Sequence, residues 1–256
     1  MNLAKYTAPL LLLTLSALPS LRADSSIVVS HDEWMFSNGE LGVDDDTQFA
    51  KSIASFLTGG SGNILILSNN FGLDGSNLQN LLTTSGYSVT ESTVVPVSLS
   101  GFNAVFVGGM AVNNALLTSY VNGGGSVFLE AGTGSFGTAA AEAAAWNPFL
   151  NAFDLGLANN FNGICCDTNV SPFHSQPPYG AALFSGVNTV FANNGNDVSI
   201  LGINPSVQVF NDANANGLYA AERIASVPEP SSVVVLAGFL LALGLTLRKR
   251  AARNAA

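Results

Sequence analysis

The sequence predicts an α/β domain, a three-layer sandwich on a mostly parallel sheet, carried between two terminal segments that are not part of the fold. Three observations predict it. Short apolar or β-branched runs alternate with segments of helical spacing from residue 26 to residue 153, the order that a parallel sheet with helices on both faces requires. Two of the runs, NILIL and AVFV, are apolar at every position, as strands covered on both faces are. The connections are short and rich in Gly and Asn.

Taken in order, SIVVS (26–30) gives the first strand. DDTQFAKSIASFL (45–57) predicts a helix, because Phe49, Ile53, Phe56 and Leu57 fall on one face. NILILS (63–68) is the second strand, and DGSNLQNLLTTSG (74–86) a helix with Leu78, Leu81 and Leu82 inward and Gly86 as its stop. YSVTESTVV (87–95) and NAVFVGG (103–109) are strands, NNALLTSYVNGGG (113–125) a helix, SVFLEAG (126–132) a strand and AAAEAAAWNPFLNAF (139–153) an alanine-rich helix. From Gly156 to Asn204 the sequence turns rich in Asn, Gly and Pro, which predicts loops and short strands completing the same domain. VQVFNDANANGLYAAER (207–223) predicts a closing hairpin.

The ends read differently. Residues 1–23 have Lys5, the apolar stretch APLLLLTLSALPSL and a small residue, Ala23, which predicts a secretory signal peptide cleaved before Asp24. The domain is expected over 24–226 and a tail over 227–256. Within the tail, residues 231–247 carry no charge, and at ~1.5 Å per residue they would cross about 25 Å, the lower limit for a membrane-spanning helix. Arg248, Lys249 and Arg250 follow, placing that end in the cytoplasm and the domain outside. Val227, Pro228, Glu229 and Pro230 precede the span as a break that cannot be helical. The order Pro-Glu-Pro, apolar helix, basic terminus resembles the PEP-CTERM sorting signal of Gram-negative bacteria. That resemblance implies insertion in the inner membrane, cleavage by an exosortase (a membrane cysteine transpeptidase) and delivery to the envelope, cell surface or extracellular polysaccharide matrix.

Charge narrows the partners. Between Asp24 and Arg223 two basic residues, Lys51 and Arg223, face sixteen acidic ones, a net of −14. Such a surface repels phosphate backbones, so nucleic acid is excluded as a partner. Cys165 and Cys166 are adjacent, which rules out a framework of bridges and leaves a reduced, partly buried pair, the expected state, or a vicinal redox pair.

Residues 102–134, FNAVFVGGMAVNNALLTSYVNGGGSVFLEAGTG, are similar to the class I glutamine amidotransferase-like fold, a flavodoxin-like sandwich, and in particular to its non-catalytic, trehalose-utilisation-like branches. DEWMFSN, SNNFGL, AWNPFLNAF and NNGN also resemble a recurrent exported domain found with such tails. An amidotransferase requires a nucleophilic Cys after the central strand and a His to carry its proton. Here the elbow reads AGTGSFG, with Ser135 and no Cys, and the only histidines are His31 and His174. The expectation is therefore a non-catalytic structural or binding role, with no cofactor and no resident metal. Two alternatives stay open, a hydrolase using Ser135 and His174, and a calcium-dependent carbohydrate or matrix binder.

For the second alternative, His31, Asp32 and Glu33 with Asp44, Asp45 and Asp46 offer oxygens for a divalent cation, although a solvated acidic loop and helix cap explains them more simply. DANANG (212–217) opens like a calcium loop, but its twelfth position is Arg223, which favours a hairpin turn. In an open parallel sheet a ligand binds beyond the carboxyl ends of the strands. The residues expected there are His31, Asp32, Glu33, Asn69, Asn70, Gly108, Gly109, Thr133, Gly134 and Ser135.

Overall fold

The computed structural model describes residues 24–225 and Gly238; the expected signal peptide, the Pro-Glu-Pro sequence, the rest of the span 231–247 and Arg248, Lys249 and Arg250 lie outside the described residues. Among the described residues no helix is long and apolar enough to cross a membrane. Residues 24–225 form one compact unit.

The alternation becomes β1 (Ser25–Ser30), α1 (Asp46–Thr58), β2 (Asn63–Ser68), α2 (Ser76–Thr84), β3 (Ser88–Ser92), β4 (Ala104–Gly108), α3 (Asn114–Asn122), β5 (Ser126–Glu130) and α4 (Ala139–Leu150). Helix α1 buries Phe49, Ile53, Phe56 and Leu57, the face its spacing marks out, and stops at Gly59, whose φ of 74° suits a residue without a Cβ. Each such side chain contributes about 1.5–3 kcal/mol on burial. The third predicted strand ends at Ser92, short of residue 95, and its residues are largely exposed. It is the edge strand, where the exposed charge of Glu91 discourages further pairing.

Seven strands form the main sheet in the order β10-β11-β1-β5-β4-β2-β3, with β10 (Val207–Asn211) and β11 (Gly217–Ile224) as the predicted hairpin. Strands β1, β5, β4, β2 and β3 are mutually parallel, while β11 is antiparallel to β1 and to β10. Successive residues of β2 divide between two cores, Ile64 and Ile66 in one, Leu65 and Leu67 in the other. The first core takes α1 and α2 through Phe49, Ile53, Leu78 and Leu82. The second takes α3 and α4 through Leu117, Val121, Trp146 and Phe149. This is a three-layer α/β sandwich. After β2 the chain turns outward to β3, and after β4 it turns the other way to β5, so the order reverses between β2 and β4.

The weakly patterned stretch holds β6 (Leu155–Phe161), β7 (Cys165–Asn169), α5 (Gly180–Phe184), β8 (Thr189–Asn193) and β9 (Asn196–Ile200). The strands pair as two small antiparallel ribbons, β6 with β9 and β7 with β8, separate from the main sheet. Helix α5 adds Leu183 and Phe184 to the first core, where Phe184 stacks on Phe49 at 4.9 Å. The cysteines correct the expectation of a reduced, partly buried pair. Both are exposed on β7 and bonded to each other.

Candidate functional site

The carboxyl ends of β1, β2, β4 and β5 bring together most of the residues expected there, and burial is the feature the sequence hid. Asn70 is the hinge of the group. Its Nδ2 donates to Ser135 Oγ (3.1 Å) and Thr133 O (3.4 Å), and its Oδ1 accepts from Gly72 N (2.8 Å). A side chain on Gly109 would run into Asn70 and lie 3.1 Å from Ser135 Oγ, so the bare backbone at that position, with φ of 67°, permits the approach of the two loops. Gly108 closes the end of β4, Gly134 is exposed beside Ser135, and Asn69 is exposed with its neighbour Asn70 buried.

Asp32 is wholly buried; its Oδ2 accepts from Trp34 N (3.1 Å) and its Oδ1 has no partner. Burial pushes its carboxyl up to about 7, and that of Glu33 up to about 8 against the opposing hydrogen bond from Asn70. His31 departs from the group. Its Nδ1 meets Leu218 O at 3.0 Å, its ring packs edge-on against Tyr219 at 5.6 Å, and burial lowers its pKa to about 4. It is neutral and provides no counter-charge.

Two acids that pattern reading passed over complete the site. Glu130, the last residue of β5, is wholly buried with neither carboxylate oxygen hydrogen-bonded, and burial holds it well above the usual range. Its signal was a lone acid ending an otherwise apolar strand, SVFLE. Glu142, the one charge in AAAEAAA, accepts from Thr133 N (3.1 and 3.2 Å) and Thr133 Oγ1 (2.8 Å), and so fixes the loop that carries Ser135.

The acidic stretch 44–46 is not the solvated loop expected of it. Asp46 is wholly buried at the start of α1 and accepts from Phe191 N at 3.2 and 3.4 Å, and burial raises it to about 8. Asp45 makes no side-chain cap; its Oδ2 accepts from Asn188 N (2.7 Å) and Thr189 N (3.4 Å), which holds its carboxyl low. Both acids tie α1 to β8. The Asp212 loop is a hairpin turn closed by its own groups, with Asp212 Oδ1 accepting from Asn214 N and Asn216 N at 2.8 Å.

Ser135 and His174 have different partners. Ser135 takes its hydrogen bond from Asn70, and His174 Nε2 faces Val187 O beside α5. Lys51 is exposed on α1 and Arg223 lies over the Phe56 ring at 4.5 Å, so neither neutralises the buried acids. Tyr219 adds a fully buried hydroxyl without a partner. Tyr219→Phe is expected to stabilise the protein by about 1 kcal/mol, because it removes a desolvated donor and leaves the ring. A higher urea midpoint with an unchanged slope is the expected readout.

Comparison with family models, curated proteins and solved structures gives no match to the chain.

Proposed function

We propose that the chain is an exported protein sorted to the cell envelope by a PEP-CTERM tail, with a non-catalytic structural or binding role at the cell surface or in an extracellular polysaccharide matrix. The observation that carries the sorting is the order of Val227, Pro228, Glu229 and Pro230, the uncharged stretch 231–247 and Arg248, Lys249 and Arg250 at one end, with the leader 1–23 at the other. An exosortase-type transpeptidase in the inner membrane is the partner this implies. The glutamine amidotransferase-like, flavodoxin-like form of the sandwich belongs to the same proposal, supported by the strand, Gly-Gly, helix, strand order of 102–134 and by the three-layer architecture.

A non-catalytic role is supported at the elbow after β5. Ser135 is hydrogen-bonded to an amide, which cannot take its proton, and neither histidine bonds to it. Small and polar groups at the carboxyl edge suit binding of a neutral or cationic ligand, such as the hydroxyls of a polysaccharide, better than an anion.

The test is processing in a bacterium that has an exosortase. Mature protein should begin near Asp24 and lack the tail. Joint replacement of Pro228, Glu229 and Pro230 by Ala should leave an unprocessed, membrane-held form, and deletion of Arg248, Lys249 and Arg250 should disturb orientation. Normal release of both variants would sink the sorting proposal.

A further inference from the structure

The buried acids at the carboxyl edge are of two kinds. Asp32 and Glu142 are compensated by main-chain donors, Asp32 by Trp34 N and Glu142 by Thr133 N, with the Thr133 hydroxyl added. Glu130 has no donor, and Glu33 has only the hydrogen bond from the Asn70 side chain. Both oxygens of Glu130 and Oε2 of Glu33 are buried without a partner, and Glu33 is the foremost charge raising the carboxyl of Glu130. An uncompensated buried carboxylate is costly enough that something must neutralise it. Two protons, or one doubly charged cation, would balance the pair.

We propose that Glu130 and Glu33 hold a hard divalent cation of the size of calcium where β5 and β1 end. Two glycines border Glu130 and set no Cβ against its carboxylate. A methyl group on Gly72 would lie 2.6 Å from Glu130 Oε2 and run into the Glu33 carbonyl, and one on Gly108 would lie 3.2 Å from the same Oε2. The Glu33 carbonyl and Asn70 Oδ1 are neutral oxygens at this edge. Among the described residues no three His, Cys, Asp or Glu side chains are arranged to hold a metal. The proposed site therefore takes its charge from two carboxylates and the rest of its shell from neutral oxygens and water. Calcium accepts an irregular set of 6–8 oxygens, whereas magnesium demands a near-ideal octahedron and softer metals prefer nitrogen or sulfur. The inference goes beyond the sorting proposal and does not rest on it, since processing of the tail and cation binding succeed or fail separately.

The full chain, stripped with chelator and titrated with calcium chloride by calorimetry at pH 8, should bind about one equivalent at this site. A hundredfold excess over Kd should raise Tm by about 5–10 °C. Glu130→Gln should abolish both effects. In chelator the same variant should melt no lower than wild type, because it replaces a buried charge with a neutral isostere, and that result separates lost binding from lost folding. Glu222→Gln, on β11, should leave both effects intact. Absence of heat and of a Tm shift in the wild type overturns the proposal and leaves protons as the neutralising charge. Binding that survives Glu130→Gln overturns it as well, by placing the cation elsewhere.

Discussion

Asp46→Asn should flatten the pH dependence of stability and make the protein more stable than wild type at pH 8, measured by chemical unfolding in chelator. Asp46 opens α1, where the helix dipole favours a negative charge by about 0.3–1 kcal/mol. Burial opposes it and wins, since it raises the carboxyl from 3.8 to about 8, and Asp44, Glu40 and Asp32 add repulsion. Below pH 4 the carboxyl is protonated in both the folded and the unfolded chain. Between pH 4 and pH 8 the unfolded chain ionises while the folded chain keeps its proton, so stability falls as pH rises, at about 1.4 kcal/mol per unit and by up to about 5 kcal/mol. Asparagine retains the acceptor for Phe191 N and has no proton to lose. Asp32, Glu33 and Glu222, raised to about 7, 8 and 7, keep part of the slope in the variant. An equal slope in the two proteins would mean that Asp46 is ionised in the fold, through a counter-charge or water.

The same residue shows where sequence reading stops. The helix over 45–57 and its buried face follow from a period of about 3.6 residues, which a linear sequence displays directly. That Asp46 is inside does not follow, because its cover is β8, more than 140 residues away, and the bond to Phe191 N is a tertiary event. The five parallel strands were legible for a related reason. NILIL and AVFV need two apolar faces to cover them, and only a central sheet supplies both. The two ribbons β6–β9 and β7–β8 were not, since their strands are short, carry Asn among their few apolar residues and, in β7, bury no residue fully, so no continuous apolar run marks them. At the site, Asn70, Gly109, Thr133 and Ser135 were placed together by topology alone, because loops at the carboxyl edge of adjacent parallel strands must converge. His31 failed the same rule, as its ring follows the hairpin strand β11 and not its neighbours in sequence. Glu130 was missed because a single acid ending a strand reads as a solvated terminus until the backbone at Gly72 and Gly108 packs against it.

Gly195→Ala should have the second large effect, a loss of about 4 kcal/mol or more, from steric overlap that no rotamer relieves. The end of β1 is clamped by main chain from two loops. The His31 carbonyl accepts from Asn196 N at 2.9 Å, with Gly195 against it on the β8–β9 turn. Gly132 of the β5–α4 loop, at a φ of 70°, meets the same carbonyl, and a methyl there would run into it and lie 2.7 Å from Gly195 Cα. A methyl on Gly195 would run into the His31 carbonyl and sit 3.0 Å from Asp32 N, and both obstacles are backbone. Relief requires β1 to shift against β11 or the turn to lift away, and either movement opens water to Asp32. Changes above 4 kcal/mol are exceptional and arise from overpacking or backbone strain of this kind. A domain of ordinary stability, about 5–15 kcal/mol, would keep only part of it, and Tm should fall by about 10 °C. Gly202→Ala is the matched control, because a methyl there meets nothing within 4 Å, and its stability should remain within about 0.5 kcal/mol of wild type. A Gly195→Ala protein within 1 kcal/mol of wild type, on the order of the control's scatter, would show that the turn moves freely and that β1 is not clamped.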